Sequence, residues 1–123
     1  MQTKSTSIFI ITVLAIFAVL QSAALAASQS GSFQGMGRYN VKGTATVSMA
    51  NGSTTIKLSG NFKSSSGPDL YIYVGNGSPK KRIAKLKSFN GAQTYTFKGT
   101  APISSVHVYC KRFSVGFGTA KLN

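Results

Sequence analysis

Residues 41–58 read VKGTATVSMANGSTTIKL, and this stretch decides the fold. Val41, Ala45, Val47 and Met49 share one phase, and Thr44, Thr46 and Ser48 fill the other. Such alternation gathers the apolar groups on one side only when the backbone is extended, because successive side chains of a strand point to opposite faces. Asn51-Gly52 follows at once. That dipeptide accepts the positive φ required at both central positions of a tight hairpin turn, so the chain reverses there and returns along residues 54–62, with Ile56 and Leu58 as its apolar positions.

The same reading extends outward. Lys63–Pro68 is a Ser/Gly/Pro loop, Leu70–Val74 an aromatic strand and Asn76–Pro79 a second loop. Arg82–Lys87, Thr94–Lys98, Val106–Cys110 and Phe113–Leu122 supply the remaining runs, and no window repeats apolar residues at helical spacing. About seven short strands at this spacing predict an all-β domain, an antiparallel β-sandwich or small barrel. Val106, Val108 and Cys110 lie on even positions, whereas Phe113, Val115 and Phe117 are odd. The inward face must therefore switch between the two runs, which predicts a bulge or tight turn at Lys111-Arg112 and places Cys110 where the ladder is interrupted.

The first 27 residues obey different rules. Lys4 is the only charge before Arg38, and Ile8–Leu20, IFIITVLAIFAVL, is apolar apart from Thr12. Ala24-Leu25-Ala26 then offers the small-x-small pattern that signal peptidase reads, so residues 1–26 are expected to be a signal peptide and 27–123 a single exported domain, secreted or periplasmic. An uncleaved membrane anchor is the alternative, since residues 8–27 just suffice to span a bilayer as a helix. Removing those 26 residues, Lys4 among them, leaves 97 residues, with 13 basic side chains against Asp69, a formal +12.

That composition excludes much chemistry. Asp69 is the only acid and there is no Glu, which removes glycosidase pairs, aspartic dyads and carboxylate cages for calcium or magnesium. One Cys rules out an internal disulfide and a CxxC pair, and with one His it cannot fill a structural zinc site. A stand-alone catalyst is not expected.

Residues 105–122, SVHVYCKRFSVGFGTAKL, resemble the signature of the DM-thirteen domain family, small extracytoplasmic β-sandwich modules described as electron-transfer domains. Gly43, Asn61-Phe62, Gly67-Pro68-Asp69-Leu70-Tyr71, Leu86-Lys87, Gly91, Gln93 and Tyr95 follow the same pattern in order, so the resemblance covers most of residues 31–122. It implies a redox accessory module in which Cys110 acts as a free thiol or as ligand to a prosthetic group such as haem, with a separate redox partner protein. Tyr109 stands where relatives often carry Trp. Tyr109, Lys111, Arg112 and Phe113 are the expected neighbours of that site.

Each of these residues also has a plainer role. Apolar neighbours in phase with Cys110 would make it an inert core thiol, while Lys111 and Arg112 would activate it. His107 lies three residues from Cys110 on one strand, so it leaves the opposite face and is expected at the surface. Met36 and Met49 are soft ligands by chemistry, but packing accounts for Met49. Asp69 is expected to cap a turn through its own backbone. Tyr71, Tyr73 and Tyr109 are packed strand aromatics or a stacking platform. Lys80, Lys81, Arg82, Lys85 and Lys87, within PKKRIAKLK, form either a basic patch for anionic polysaccharide, nucleic acid or membrane surfaces, or a guard on an edge strand. Sequence-specific nucleic-acid recognition is not expected, because no such fold signature accompanies the charge.

Overall fold

A computed structural model describes residues 28–123, so the signal expected at residues 1–26 lies outside the described residues. These residues form β1 (Ser28–Gly35), β2 (Val41–Lys42), β3 (Thr44–Ala50), β4 (Ser53–Leu58), β5 (Lys63–Ser64), β6 (Leu70–Gly75), β7 (Pro79–Lys85), β8 (Gln93–Lys98), β9 (Ser105–Cys110) and β10 (Val115–Lys121). Eight of them make one antiparallel sheet in the order β7-β6-β9-β10-β1-β3-β4-β8, and β2 pairs with β5 separately. The outermost strands, β7 and β8, lie against each other without sharing a ladder, so the sheet curls into a nearly closed barrel. No helix of the described residues is long and apolar enough to cross a membrane.

The hairpin forms as its sequence dictates. Val47 faces Ile56 and Ala45 faces Leu58, and the turn between them carries Asn51 at φ 53° and Gly52 at φ 77°. All seven expected runs are strands, with shifted ends. Gly43 divides the first into β2 and β3, the return strand stops at Leu58, and β7 starts at Pro79.

The two-residue β5 falls within the expected Lys63–Pro68 loop, where it pairs with β2, and β1 is the longer strand the sequence did not announce, because SQSGSFQG offers only Phe33 to a core. Its role is to close the barrel: Ser28–Ser32 pair with β3, and Phe33–Gly35 pair with β10. At this corner a Cβ on Gly31 would sit 1.8 Å from the Lys121 carbonyl oxygen, so only glycine lets the two backbones approach.

Alternate side chains fill the interior. Ala45, Val47, Ile56, Leu58, Ile72, Val74, Tyr95, Val106, Val108 and Ala120 are all buried, as alternation requires. The expected phase switch after Cys110 occurs as a turn, Lys111–Ser114, followed by a bulge between Gly116 and Gly118. Val115 then lies opposite Cys110, and the bulge tucks Phe117 into the core. Phe113 departs from expectation. It sits in the turn rather than on the strand and is 65% exposed, because four residues are needed to reverse the chain and none of them belongs to the ladder.

Candidate functional site

Cys110 ends β9, with Leu70 opposite it on β6 and Val115 opposite it on β10. Its side chain has no exposed surface. The strand therefore delivers the thiol to the inside of one barrel end, between two apolar side chains. Tyr39 stacks flat on Phe117 with ring centroids 3.7 Å apart, two residues along β10 from Val115, and Arg38 lies 5.5 Å from the Tyr39 ring.

The turn beside the thiol is lightly held. Lys111, Arg112, Phe113 and Ser114 are all exposed. Lys111 N–H donates to the Asp69 carbonyl at 3.0 Å, while Ser114 N–H reaches the Lys111 carbonyl only at 3.4 Å. Ser114 adopts φ 51°, a left-handed conformation that costs a non-glycine residue about 1 kcal/mol or more. Asp69 thus contributes its carbonyl to the neighbouring turn. Tyr109, the expected neighbour, points away from the thiol to the outer face, where its ring lies 5.0 Å from that of Tyr73.

His107 overturns an expectation. It does leave the face opposite Cys110, yet it is buried, at 3% exposure. The cause is tertiary: Met36, in the turn after β1, and the Gly77–Pro79 segment lie over this part of the outer face, enclosing a cleft of about 230 Å³. The imidazole is bonded at both nitrogens, Nε2 to Ser105 Oγ at 2.8 Å and Nδ1 to Thr119 Oγ1 at 2.9 Å. Gly77 N–H donates to Ser105 Oγ at 2.9 Å, and Thr119 Oγ1 donates to Met36 Sδ at 3.6 Å. These outer contacts set the direction of the chain. Ser105 donates to Nε2, Nδ1–H donates to Thr119, and a neutral imidazole satisfies every member. Burial accordingly pushes the His107 pKa below its ordinary value.

Over residues 32–122 the chain matches a family model described as Electron transfer DM13. It belongs to the DM13 electron-transfer family. No curated protein and no solved structure matches it. The DM13 assignment makes this domain a redox, electron-transfer module, and the match spans both Cys110 and the barrel around it.

In this DM13 domain the five basic residues of PKKRIAKLK do not form one patch. β7 is an outermost strand, and a bulge at its Ile83, opposite Ile72 and Tyr73 of β6, divides its side chains. Arg82 reaches the outer face and lies 5.4 Å from the Tyr71 ring. Lys81 turns to the seam, with Nζ 4.9 Å from the Phe97 ring on β8. Lys87 closes the seam further along: its Nζ donates to the Thr94 carbonyl at 2.6 Å, and its N–H donates to the Tyr95 hydroxyl at 2.9 Å. Burial raises the Tyr95 pKa, and its hydroxyl in turn donates to Gln93 Oε1. Lys80 and Lys85 are exposed.

Proposed function

We propose that this chain is an exported redox accessory module whose working group is the Cys110 thiol, which a partner reaches when the Lys111–Ser114 turn opens. The observation that carries this reading is the placement of the chain's one thiol at the end of a strand, beside a fully exposed turn that holds a left-handed serine. The chemistry is thiol–disulfide exchange. Cys110 sulfur attacks a disulfide of the partner and forms an S–S bond to it; the partner's second sulfur leaves as a thiolate, and the Cys110 proton passes to solvent. Lys111 and Arg112 would meet the developing negative charge as the turn opens. His107 takes no part, since it lies on the other face, so the module depends on its partner rather than acting as a stand-alone catalyst.

Haem does not fit this position. The sulfur has no exposed surface and its cross-strand neighbours are Leu70 and Val115, which leaves no face for a macrocycle in the closed barrel. We therefore derive no step through haem. The test is exchange with oxidised glutathione followed by mass spectrometry. The native protein should acquire one glutathione, and Cys110→Ser should acquire none while keeping its circular dichroism spectrum. Modification confined to denaturant-unfolded protein would refute the reading.

A second reading rests on the outer face, where Arg82 lies over Tyr71 and Tyr73 pairs with Tyr109. Cationic and aromatic groups side by side suit anionic polysaccharide. Retention on heparin that falls when Arg82 and Lys85 are changed to Gln, but persists in Cys110→Ser, would favour it.

A further inference from the structure

The barrel seam opens into a cavity at the end away from Cys110. β7 and β8 share no ladder, and the cavity of about 200 Å³ lies between them, walled by Val74, Phe97 and Ile103 with Lys80, Lys81 and Lys98 also lining it. Strand geometry sets it apart from the thiol. Leu70 faces Cys110 and Val74 lines the cavity, and four residues of strand span about 13 Å.

Two features of this cavity are complementary to one kind of molecule. Its walls are apolar, and a dry apolar cavity of about 150 Å³ suffices to bind benzene, so this one takes a single ring or an eight-carbon chain. Its charge is of one sign. Lys81 holds its ammonium over the Phe97 ring, 4.9 Å from the centroid, so a wall residue and a cation meet at one point. The chain's only carboxylate side chain, Asp69, adjoins Leu70 at the opposite end, and no side-chain acid is present to neutralise these lysines. Mouths of β-barrels are common ligand sites, because a curled sheet leaves its interior accessible only at the ends and at an unpaired seam.

The geometry points to a binding site for a small amphipathic carboxylate, with the acyl chain or ring inserted between Val74, Phe97 and Ile103 and the carboxylate paired with Lys81. This inference is independent of the Cys110 reading. It also explains part of the PKKRIAKLK run without invoking a polymer: Lys80 and Lys81 line this cavity, Arg82 lies on the outer face, and Lys87 latches the seam.

Octanoate is the probe, with octanol as the neutral control of equal chain length, and binding is read by amide chemical shifts and by the thermal midpoint. Octanoate should shift the amides of Phe97 and Ile103, raise Tm in a saturable way, and bind at least tenfold more tightly than octanol. Lys81→Gln should weaken octanoate about tenfold and leave octanol unchanged. Ala101→Phe, an exposed position on the cavity lining, should abolish binding of both without unfolding the domain. Equal affinity for octanoate and octanol would overturn the proposal, as would shifts centred elsewhere on the barrel or binding unaffected by both variants. Exchange at Cys110 should proceed in Lys81→Gln as in the parent, so failure here is distinguishable from failure of the thiol reading.

Discussion

Acidification should destabilise this domain through one side chain, His107. The neutral imidazole completes a hydrogen-bonded run from Gly77 through Ser105 and Thr119 to Met36. Protonation puts a second donor on Nε2, facing Ser105 Oγ, which already accepts from Gly77; the serine proton then loses its acceptor and a charge is left in a buried site. Burial holds the folded pKa below the unfolded value of about 6.5, so the unfolded chain binds the extra proton first. Stability from this group is complete above about pH 6.5 and is lost as the pH falls from there through the folded pKa. One proton gives a limiting slope of about 1.4 kcal/mol per pH unit. For a domain of this size that corresponds to a fall in Tm of roughly 5–10 °C per unit. The chain contains a single His, the side-chain type whose ordinary titration falls in this window. Ser105, Thr119 and Met36 contact the ring or its partners and Tyr73 lies opposite it on β6, all uncharged, while Lys121, paired with Ser105 on the same outer face, disfavours protonation in the same direction as burial. Urea unfolding between pH 8 and 5 measures the slope, and His107→Gln should flatten it while lowering stability at pH 8 by about 1–3 kcal/mol. An equal slope in His107→Gln, or an imidazole that titrates at or above 6.5 by NMR, would refute the reasoning.

Other perturbations follow from the packing and charge. Phe117→Ala removes a buried ring and its stack on Tyr39 and should cost about 3–5 kcal/mol, read from the urea midpoint. Cys110→Ser should lower stability by about 1–3 kcal/mol through an unpaired buried hydroxyl, measured in the same way. Export should leave a mature N-terminus at Ala27, checked by intact mass; a chain that retains residues 1–26 in the membrane fraction would replace the signal by an anchor. Neutralising all five basic residues of PKKRIAKLK should weaken salt-sensitive polyanion retention, and because Lys81 and Lys87 hold the seam it should also lower Tm.

The parts of the fold that were legible in the chain are those where one strand faces one core. β3, β4 and β6 alternate cleanly, and Asn51-Gly52 marks the hairpin, because burial on one face and greater exposure on the other leave a period of two. β1 is nearly without apolar residues and was invisible; its place is fixed by two partners whose pairing is a long-range event. The switch of face after Cys110 was legible as a change of parity, but not that Phe113 would be given up to the turn. His107 was placed on the correct face and the wrong environment, since what covers it comes from residues 36 and 77–79, far away in the chain. The basic run likewise looked continuous in sequence, and a bulge distributed it over a cavity, an outer face and a seam.

The central claim, that Cys110 becomes reachable through its adjoining turn, is tested most directly by the denaturant dependence of its labelling rate. A small maleimide would be reacted with the native protein at a series of low urea concentrations, with the global unfolding slope measured in parallel. Opening of the Lys111–Ser114 turn exposes little surface, so the account predicts a rate that hardly changes with urea and exceeds the rate permitted by global unfolding. A labelling rate that rises with the full global slope, and equals the rate calculated from complete unfolding, would contradict it.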